Sequence, residues 1–261
     1  MTERRALVTG GGKRLGRAMA LYLAERGIGV AVHYNSSADA AEEVADEIRA
    51  VGLPAAAVQA DLLDEAATGA LMPAAAEALG GPITVLVNNA SIFEHDTIHT
   101  ATRDSWDRHF GSNLRAPFQL IQALARTAPP PAEDANGEPV AQALVVNMID
   151  QRVRKLTPEF MTYTLAKTAL WTLTRTAAQG LAPKVRVNAI GPGPTLQGAR
   201  QSDRHFAAQR AATVLERGAG EADIVAALGY FLDAPAVTGQ LLCIDGGQHL
   251  AWRTPDVLGV E

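Results

Sequence analysis

Tyr163 and Lys167 stand four residues apart in TPEFMTYTLAK, a spacing that puts both on one face of a helix, one above the other. An unperturbed phenol titrates near ~10, and a neighbouring ammonium favours the phenolate, bringing the proton within reach of neutral-pH chemistry. Such a pair suits a general acid that gives a proton to a carbonyl or imine as hydride arrives. Alone, it is also an ordinary pair on an amphipathic helix. Its meaning depends on the rest of the chain, beginning with Asp150, which directly follows the apolar run ALVVNMI.

The elements that must position this pair are legible as alternation. The apolar runs RALVT, GVAVHY, AAAVQAD, ITVLVNNA, ALVVNMI, VRVNAIGP and QLLCIDGG are separated by Ala-rich amphipathic segments. Continuous apolar runs mark strands buried on both faces, and strand-helix alternation implies crossovers and a parallel sheet. The expectation is a single-domain, doubly wound α/β protein, a Rossmann fold with helices on both faces, spanning residues 1–261. PPPAEDANGEP, at 129–139, reads as a surface connection rather than a boundary. Pro117, inside the helical pattern GSNLRAPFQLIQALA, predicts a kink with Asn113 beside it.

In such a sheet the ligand lies beyond the carboxyl ends of the strands. After the first run comes Thr9-Gly10-Gly11-Gly12-Lys13-Arg14-Leu15-Gly16, then a helix. Glycines let the backbone turn tightly against a pyrophosphate, which gains from free N–H groups and the helix dipole. Arg14 is either a phosphate-reaching cation or a solvated surface arginine. The second run ends in His33-Tyr34-Asn35-Ser36-Ser37, with no carboxylate until Asp39. An NAD-specific domain places an acid there against the ribose 2′-hydroxyl, so a polar cluster facing Lys13 and Arg14 points to NADP(H). Asp61-Leu62 suits an adenine edge, or Asp61 caps the next helix. Asn89, Ala90 and Ser91 follow the fourth run and Pro192, Gly193 and Thr195 the sixth. The polar stretch 196–220 reads as a lid over cofactor and substrate.

Composition bounds the function classes. A net charge of -5 gives no basic footprint for nucleic acid or an anionic membrane surface. No apolar run is long enough to span a bilayer, and MTERRALVTGGG carries no apolar signal region. The single cysteine, Cys243, excludes an intrachain disulfide framework and a multi-cysteine metal site; it reads as a small buried hydrophobe. No metal is expected, and the cytoplasm is the expected location.

TGGGKRLG, NNAS, Asn113, YTLAK and VNAIGPG occur in this order between about Arg5 and Gly247. Together they resemble the short-chain dehydrogenase/reductase family. The resemblance implies a single-domain Rossmann oxidoreductase with an Asn-Ser-Tyr-Lys tetrad, usually a homotetramer or dimer. Tyr163 would be the proton donor, Lys167 would hold the ribose hydroxyls and lower the tyrosine pKa, and Asn113 would anchor a relay water. Two positions depart from the general pattern: Arg14 replaces a glycine of the first turn, and Asp150 replaces the tetrad serine. Both substitutions, with HYNSSA and NNASIF, are similar to the pteridine and dihydromonapterin reductases. That subgroup implies a pterin substrate bound by Arg14, Ser91, Phe93, Asp150 and Tyr163, with Phe93 stacked on the ring; on sequence alone a core or lid aromatic serves Phe93 equally well. The other readings are a carbonyl or 3-oxoacyl thioester reductase and a non-catalytic NADP-binding sensor. In the tail, 248–261, Trp252 and Arg253 suggest a subunit contact.

Overall fold

The computed structural model describes residues 4–197 and 201–254. Each apolar run becomes a strand and each amphipathic segment a helix: β1 (Arg5–Val8), α1 (Arg14–Glu25), β2 (Gly29–Tyr34), α2 (Ala38–Ala50), β3 (Ala55–Gln59), α3 (Glu65–Ala78) and β4 (Val85–Asn88). The second half continues with α4 (Arg103–Phe110), α5 (Ala116–Thr127), β5 (Ala132–Glu133), β6 (Pro139–Val140), β7 (Ala143–Met148), α6 (Met161–Leu181), β8 (Val185–Pro192), α7 (Asp203–Ala211), α8 (Glu221–Asp233) and β9 (Leu241–Ile244). Seven strands form one parallel sheet in the order β3-β2-β1-β4-β7-β8-β9. The chain winds outward from β1 to β3, then returns to place β4 on the other side of β1. A crevice opens at that reversal, beyond the carboxyl ends of β1 and β4.

Both faces of the strands are apolar because both are covered. Ala6, Val8, Val30, Val32, Val85 and Val87 pack with Met19 and Leu23 of α1, Val44 and Ile48 of α2, and Leu228 and Phe231 of α8. The alternate residues Leu7, Ala31, Leu86, Val145 and Val187 face Leu71 of α3, Leu120 and Leu124 of α5 and Ala178 of α6. Burying each such Leu or Phe contributes roughly 1.5–3 kcal/mol. Within the second layer, Asn88 Nδ2 donates to Asn147 Oδ1 (2.8 Å), and Asn147 Nδ2 donates to Thr174 Oγ1 (2.9 Å). This buried chain fixes the height of α6 against β4 and β7.

Two local departures from the sequence expectation have simple causes. The break before Pro117 is a widened turn at Gly111–Arg115, where the Ala116 N–H bonds to Gly111 O. Pro117 has no N–H to offer the carbonyl of Asn113 four residues back, so the regular ladder cannot pass through. The 129–139 connection is not structureless: β5 and β6 pair antiparallel around a turn at Asp134 and Gly137, the latter at φ +78°. Two-residue strands are too short to leave a periodic signature. Among the described residues no helix is long and apolar enough to cross a membrane.

Candidate active site

The glycine loop is stapled to three strand ends. Thr9 Oγ1 accepts from the N–H groups of Asn89 (2.9 Å) and Ala90 (3.0 Å), while Asn89 Nδ2 donates to Thr9 O (2.9 Å) and Gly10 O (3.1 Å). From β2, His33 Nδ1 accepts from the Gly10 N–H at 3.0 Å, so the ring proton sits on Nε2 and is donated to Ala60 O at 3.1 Å. Burial pushes the His33 pKa down, keeping the ring neutral. Its side chain therefore holds the loop from beneath, which corrects the expectation of direct cofactor contact.

The loop geometry demands small residues. A Cβ on Gly16 would lie 2.0 Å from Gly10 O and 2.7 Å from Asn89 Nδ2, so helix and loop approach too closely for any side chain. Arg14 adopts a left-handed backbone, with φ at +52°, a conformation that suits glycine and costs another residue on the order of 1 kcal/mol. The first turn of α1 carries no acid and no side-chain cap, which leaves its N–H groups for an anion. Lys13 Nζ donates to Ser37 Oγ at 2.9 Å, joining the first turn to the end of β2, where Asn35 and Ser36 stand exposed. These features fit a dinucleotide with a phosphate on its ribose.

The reacting groups converge at the ends of β7 and α6. Tyr163 Oη donates to Asp150 Oδ2 at 3.0 Å, and the Arg152 N–H holds Oδ1 at 2.8 Å. Burial raises the Asp150 carboxyl above its ordinary value. Burial and then the Asp150 charge push the Tyr163 phenol well above its own. The expectation of a phenol depressed by Lys167 is thereby corrected: in this geometry Tyr163 is a neutral donor shared with a carboxylate. Lys167 is 2% exposed, donates to Met148 O at 2.8 Å, and burial lowers its pKa to about 8. Because that value lies below the unfolded one near 10.5, the buried ammonium costs stability below about 8, and the cost is relieved as pH rises between the two.

A second buried network sets the loop that follows β4. Asn113 Nδ2 donates to Ile92 O (2.9 Å) and its Oδ1 accepts from the Ile92 N–H (3.0 Å), so this amide positions the Ser91–Phe93 loop. His109 Nε2 accepts from the Glu94 N–H (3.1 Å), its Nδ1 bonds Thr162 Oγ1 (2.6 Å), and Thr162 Oγ1 donates to Asp96 Oδ2 (2.5 Å). Burial acts to raise Asp96, but donation from Thr162 and Ser105 outweighs it and leaves the carboxyl below its ordinary value. The network ties the loop to the residue preceding Tyr163. Asn113 was picked out in sequence, but Asp96, His109 and Thr162 were not: they lie 13 and 53 positions apart with no periodicity to link them.

The cleft so formed measures about 470 Å³. Gly10, Lys13, Arg14, Leu15, Asn89, Ala90, Ser91, Phe93, Asp150, Tyr163, Lys167, Pro192, Gly193 and Thr195 all line it. His33, Tyr34, Asn35, Ser36, Asp61, Leu62 and Asn113 do not. Asp61 accepts from the Leu63 N–H, and the α3 cap is Asp64 instead; Leu62 and Tyr34 pack on the two cores. Phe93 is 48% exposed; it stacks on Phe160 with centroids 4.3 Å apart and meets Tyr163 edge-on at 4.7 Å. Arg14 donates to Gln197 O (2.9 Å) and Leu196 O (3.2 Å), at the start of the polar 196–220 stretch. That stretch contains α7, residues 198–200 fall outside the described residues, and so does the tail from 255 onward.

The profile of the family described as Enoyl-(Acyl carrier protein) reductase matches residues 12–249. The chain belongs to the short-chain dehydrogenase/reductase family. Within that family it is 30% identical over 250 residues to the 3-oxoacyl-[acyl-carrier-protein] reductase FabG of Staphylococcus aureus, covering 94% of this chain and 98% of the relative. In three dimensions it is similar to FolM alternative dihydrofolate reductase 1 from Brucella suis, solved in complex with NADP. The TM-score is 0.89 at 43% identity, covering 97% of this chain and 98% of the other. A short-chain dehydrogenase from Burkholderia cenocepacia, also in complex with NADP, matches with a TM-score of 0.84 at 32% identity, over 94% of this chain and 97% of the other.

Proposed function

We propose that this short-chain dehydrogenase/reductase is an NADPH-dependent reductase of a pterin, converting a dihydropterin to its tetrahydro form. The observation that carries the proposal is the Tyr163–Asp150 hydrogen bond, 3.0 Å long, with a carboxyl group at the position where the family resemblance implies a serine. The likeness to FolM over nearly the whole chain supports it. When bound, NADPH supplies the hydride. The N–H groups at the start of α1 would hold the pyrophosphate, Lys13 with Ser37 the 2′-phosphate, and Lys167 the ribose hydroxyls.

The protein's own task is then one proton for each hydride. A pterin C=N becomes more basic at nitrogen as its carbon is reduced, and Tyr163 is placed to give its phenolic proton there. Asp150 receives the Tyr163 hydrogen bond and has a raised pKa. It can carry a proton more readily than an exposed carboxyl group and return it to Tyr163 directly or through water. A carboxyl group can also pair with a ring nitrogen and its adjacent amino group, which a serine hydroxyl cannot do as well. Stacking on Phe93 would hold the flat ring, contributing about 1 kcal/mol beyond area burial. The test is NADPH oxidation with 7,8-dihydropterins against ketones, aldehydes and 3-oxoacyl thioesters. Turnover is expected with the pterins; turnover of carbonyls alone would remove the proposal.

The second reading, a 3-oxoacyl thioester reductase, is favoured by the FabG relationship and leaves Asp150 unexplained. A proton-donating Tyr163 bonded within the cleft argues against a non-catalytic sensor. A homotetramer remains the expected assembly, and a mainly apolar depression among Phe110 of α4, Leu114 of the Gly111–Arg115 turn, Phe118 of α5 and Leu173 of α6 offers a surface for a subunit contact.

The Lys167 pKa of about 8 sets the pH dependence of cofactor binding. Below that value the group is an ammonium that attracts the anionic nucleotide, and rising pH removes the charge. The NADPH dissociation constant, read by fluorescence titration, is expected to rise as pH passes about 8. In Lys167→Met the dependence should disappear; an equal slope in the variant would assign it elsewhere.

A further inference from the structure

Arg152 presents a prepared cation just outside the cleft. Its backbone N–H is committed to Asp150, but its guanidinium points elsewhere: it lies over the Phe160 ring, 4.8 Å from the centroid, and Nη1 donates to Thr157 Oγ1 at 2.9 Å. Phe160 in turn stacks on Phe93 with an interplanar angle of 5°. Guanidinium, aromatic ring and aromatic ring thus form a column from the rim to the cleft wall. Phe160 sits at φ +58°, a conformation that persists in an aromatic residue only where its surroundings hold it.

The guanidinium is oriented but not neutralised. It has five N–H donors in a planar fork, and the bond to Thr157 uses one. Among the described residues no carboxylate lies within ion-pairing distance of it; the nearby Glu159 carboxylate is paired with His95. A fork held by stacking and one hydrogen bond has lost much of its rotamer freedom before any ligand arrives, which favours two-point capture of an oxyanion.

We infer that the Arg152 side chain is an anion subsite that binds a carboxylate carried on a tail of the substrate, while the ring being reduced lies in the cleft against Phe93. The inference rests on the pterin reading above and narrows it to pterins with an acidic substituent. The tail would leave the cleft across Phe93 and Phe160 to reach the fork. The same cation is felt by Asp150 and Tyr163, where it opposes the rise that burial imposes on both, so the competing role is a tuner of the reacting pair. That role would act on every substrate alike.

The two roles separate on a pair of substrates. Dihydrofolate carries a p-aminobenzoyl-glutamate tail with free carboxylates, whereas dihydrobiopterin has an uncharged diol side chain. The ratio of their kcat/KM values is measured with NADPH for the wild type, Arg152→Ala and Arg152→Lys, all of which keep the backbone N–H to Asp150. The ratio should fall about tenfold or more in Arg152→Ala, the scale of a charge-assisted hydrogen bond, through KM for dihydrofolate. Arg152→Lys should recover only part, since a point charge lacks the fork. An unchanged ratio would overturn the inference and leave the pterin reading standing, and a shifted pH profile for both substrates would then identify the tuner. Failure of the wild type to turn over either compound would overturn both.

Discussion

Tyr163→Phe is expected to lower kcat for the proposed pterin substrate by about 10²–10⁴, the range attributed to a positioned general acid, while NADPH still binds. The hydroxyl is the only part removed. The ring that packs edge-on against Phe93 at 4.7 Å stays in place, and so does the helix that Thr162 and Asp96 anchor. The loss should therefore appear in kcat far more than in KM or in the melting temperature. Removal of the phenol also leaves Asp150 Oδ2 without the donor it has at 3.0 Å. That bond lowers the carboxyl pKa, so its loss raises the pKa further and water becomes the only remaining route for the proton. Steady-state NADPH oxidation at saturating substrate, with a parallel NADPH fluorescence titration, checks both halves. Retention of more than about a tenth of the wild-type kcat would mean that the proton reaches the substrate without Tyr163.

The sheet and the cofactor end of the cleft were legible in the sequence because their signals are local. Continuous apolar runs gave the strands, glycine spacing gave the first turn, and the four-residue interval gave the shared face of Tyr163 and Lys167. Arg14 was legible as a departure from glycine, and the structure adds that its own φ is positive. The polar interior was less legible. His33 looked like a residue facing the nucleotide because it ends a strand, yet the ring folds under the loop to bond Gly10 and Ala60. The Asp96–Thr162–His109 network spans more than sixty positions and is joined only by tertiary packing, as is the Phe93–Phe160 stack. The charge balance around Tyr163 was also beyond the sequence. An i,i+4 lysine suggested a depressed phenol, but burial and a facing carboxylate, whose effect depends on side-chain direction, act the other way.

Asp150→Ser carries the second large expected effect. It restores the hydroxyl that the family resemblance expects and removes the carboxyl that Tyr163 faces. Serine can still accept or donate one hydrogen bond, which is enough beside a carbonyl oxygen. It cannot hold a proton for return to the phenol, and it cannot meet a ring nitrogen and its amino group together. Loss of the negative charge also removes one cause of the raised Tyr163 pKa, which would aid donation to a carbonyl oxygen. Pterin turnover should fall by about 10² or more, the lower end of general acid-base effects, with carbonyl turnover retained or gained.

The most direct measurement is accordingly the ratio of kcat/KM for a 7,8-dihydropterin to that for a 3-oxoacyl thioester, taken with NADPH for the wild type and Asp150→Ser. A wild-type ratio in favour of the pterin that collapses in the variant is the predicted result. A ratio unchanged by the substitution, or a wild type that reduces only the thioester, would contradict the role assigned to the Tyr163–Asp150 pair.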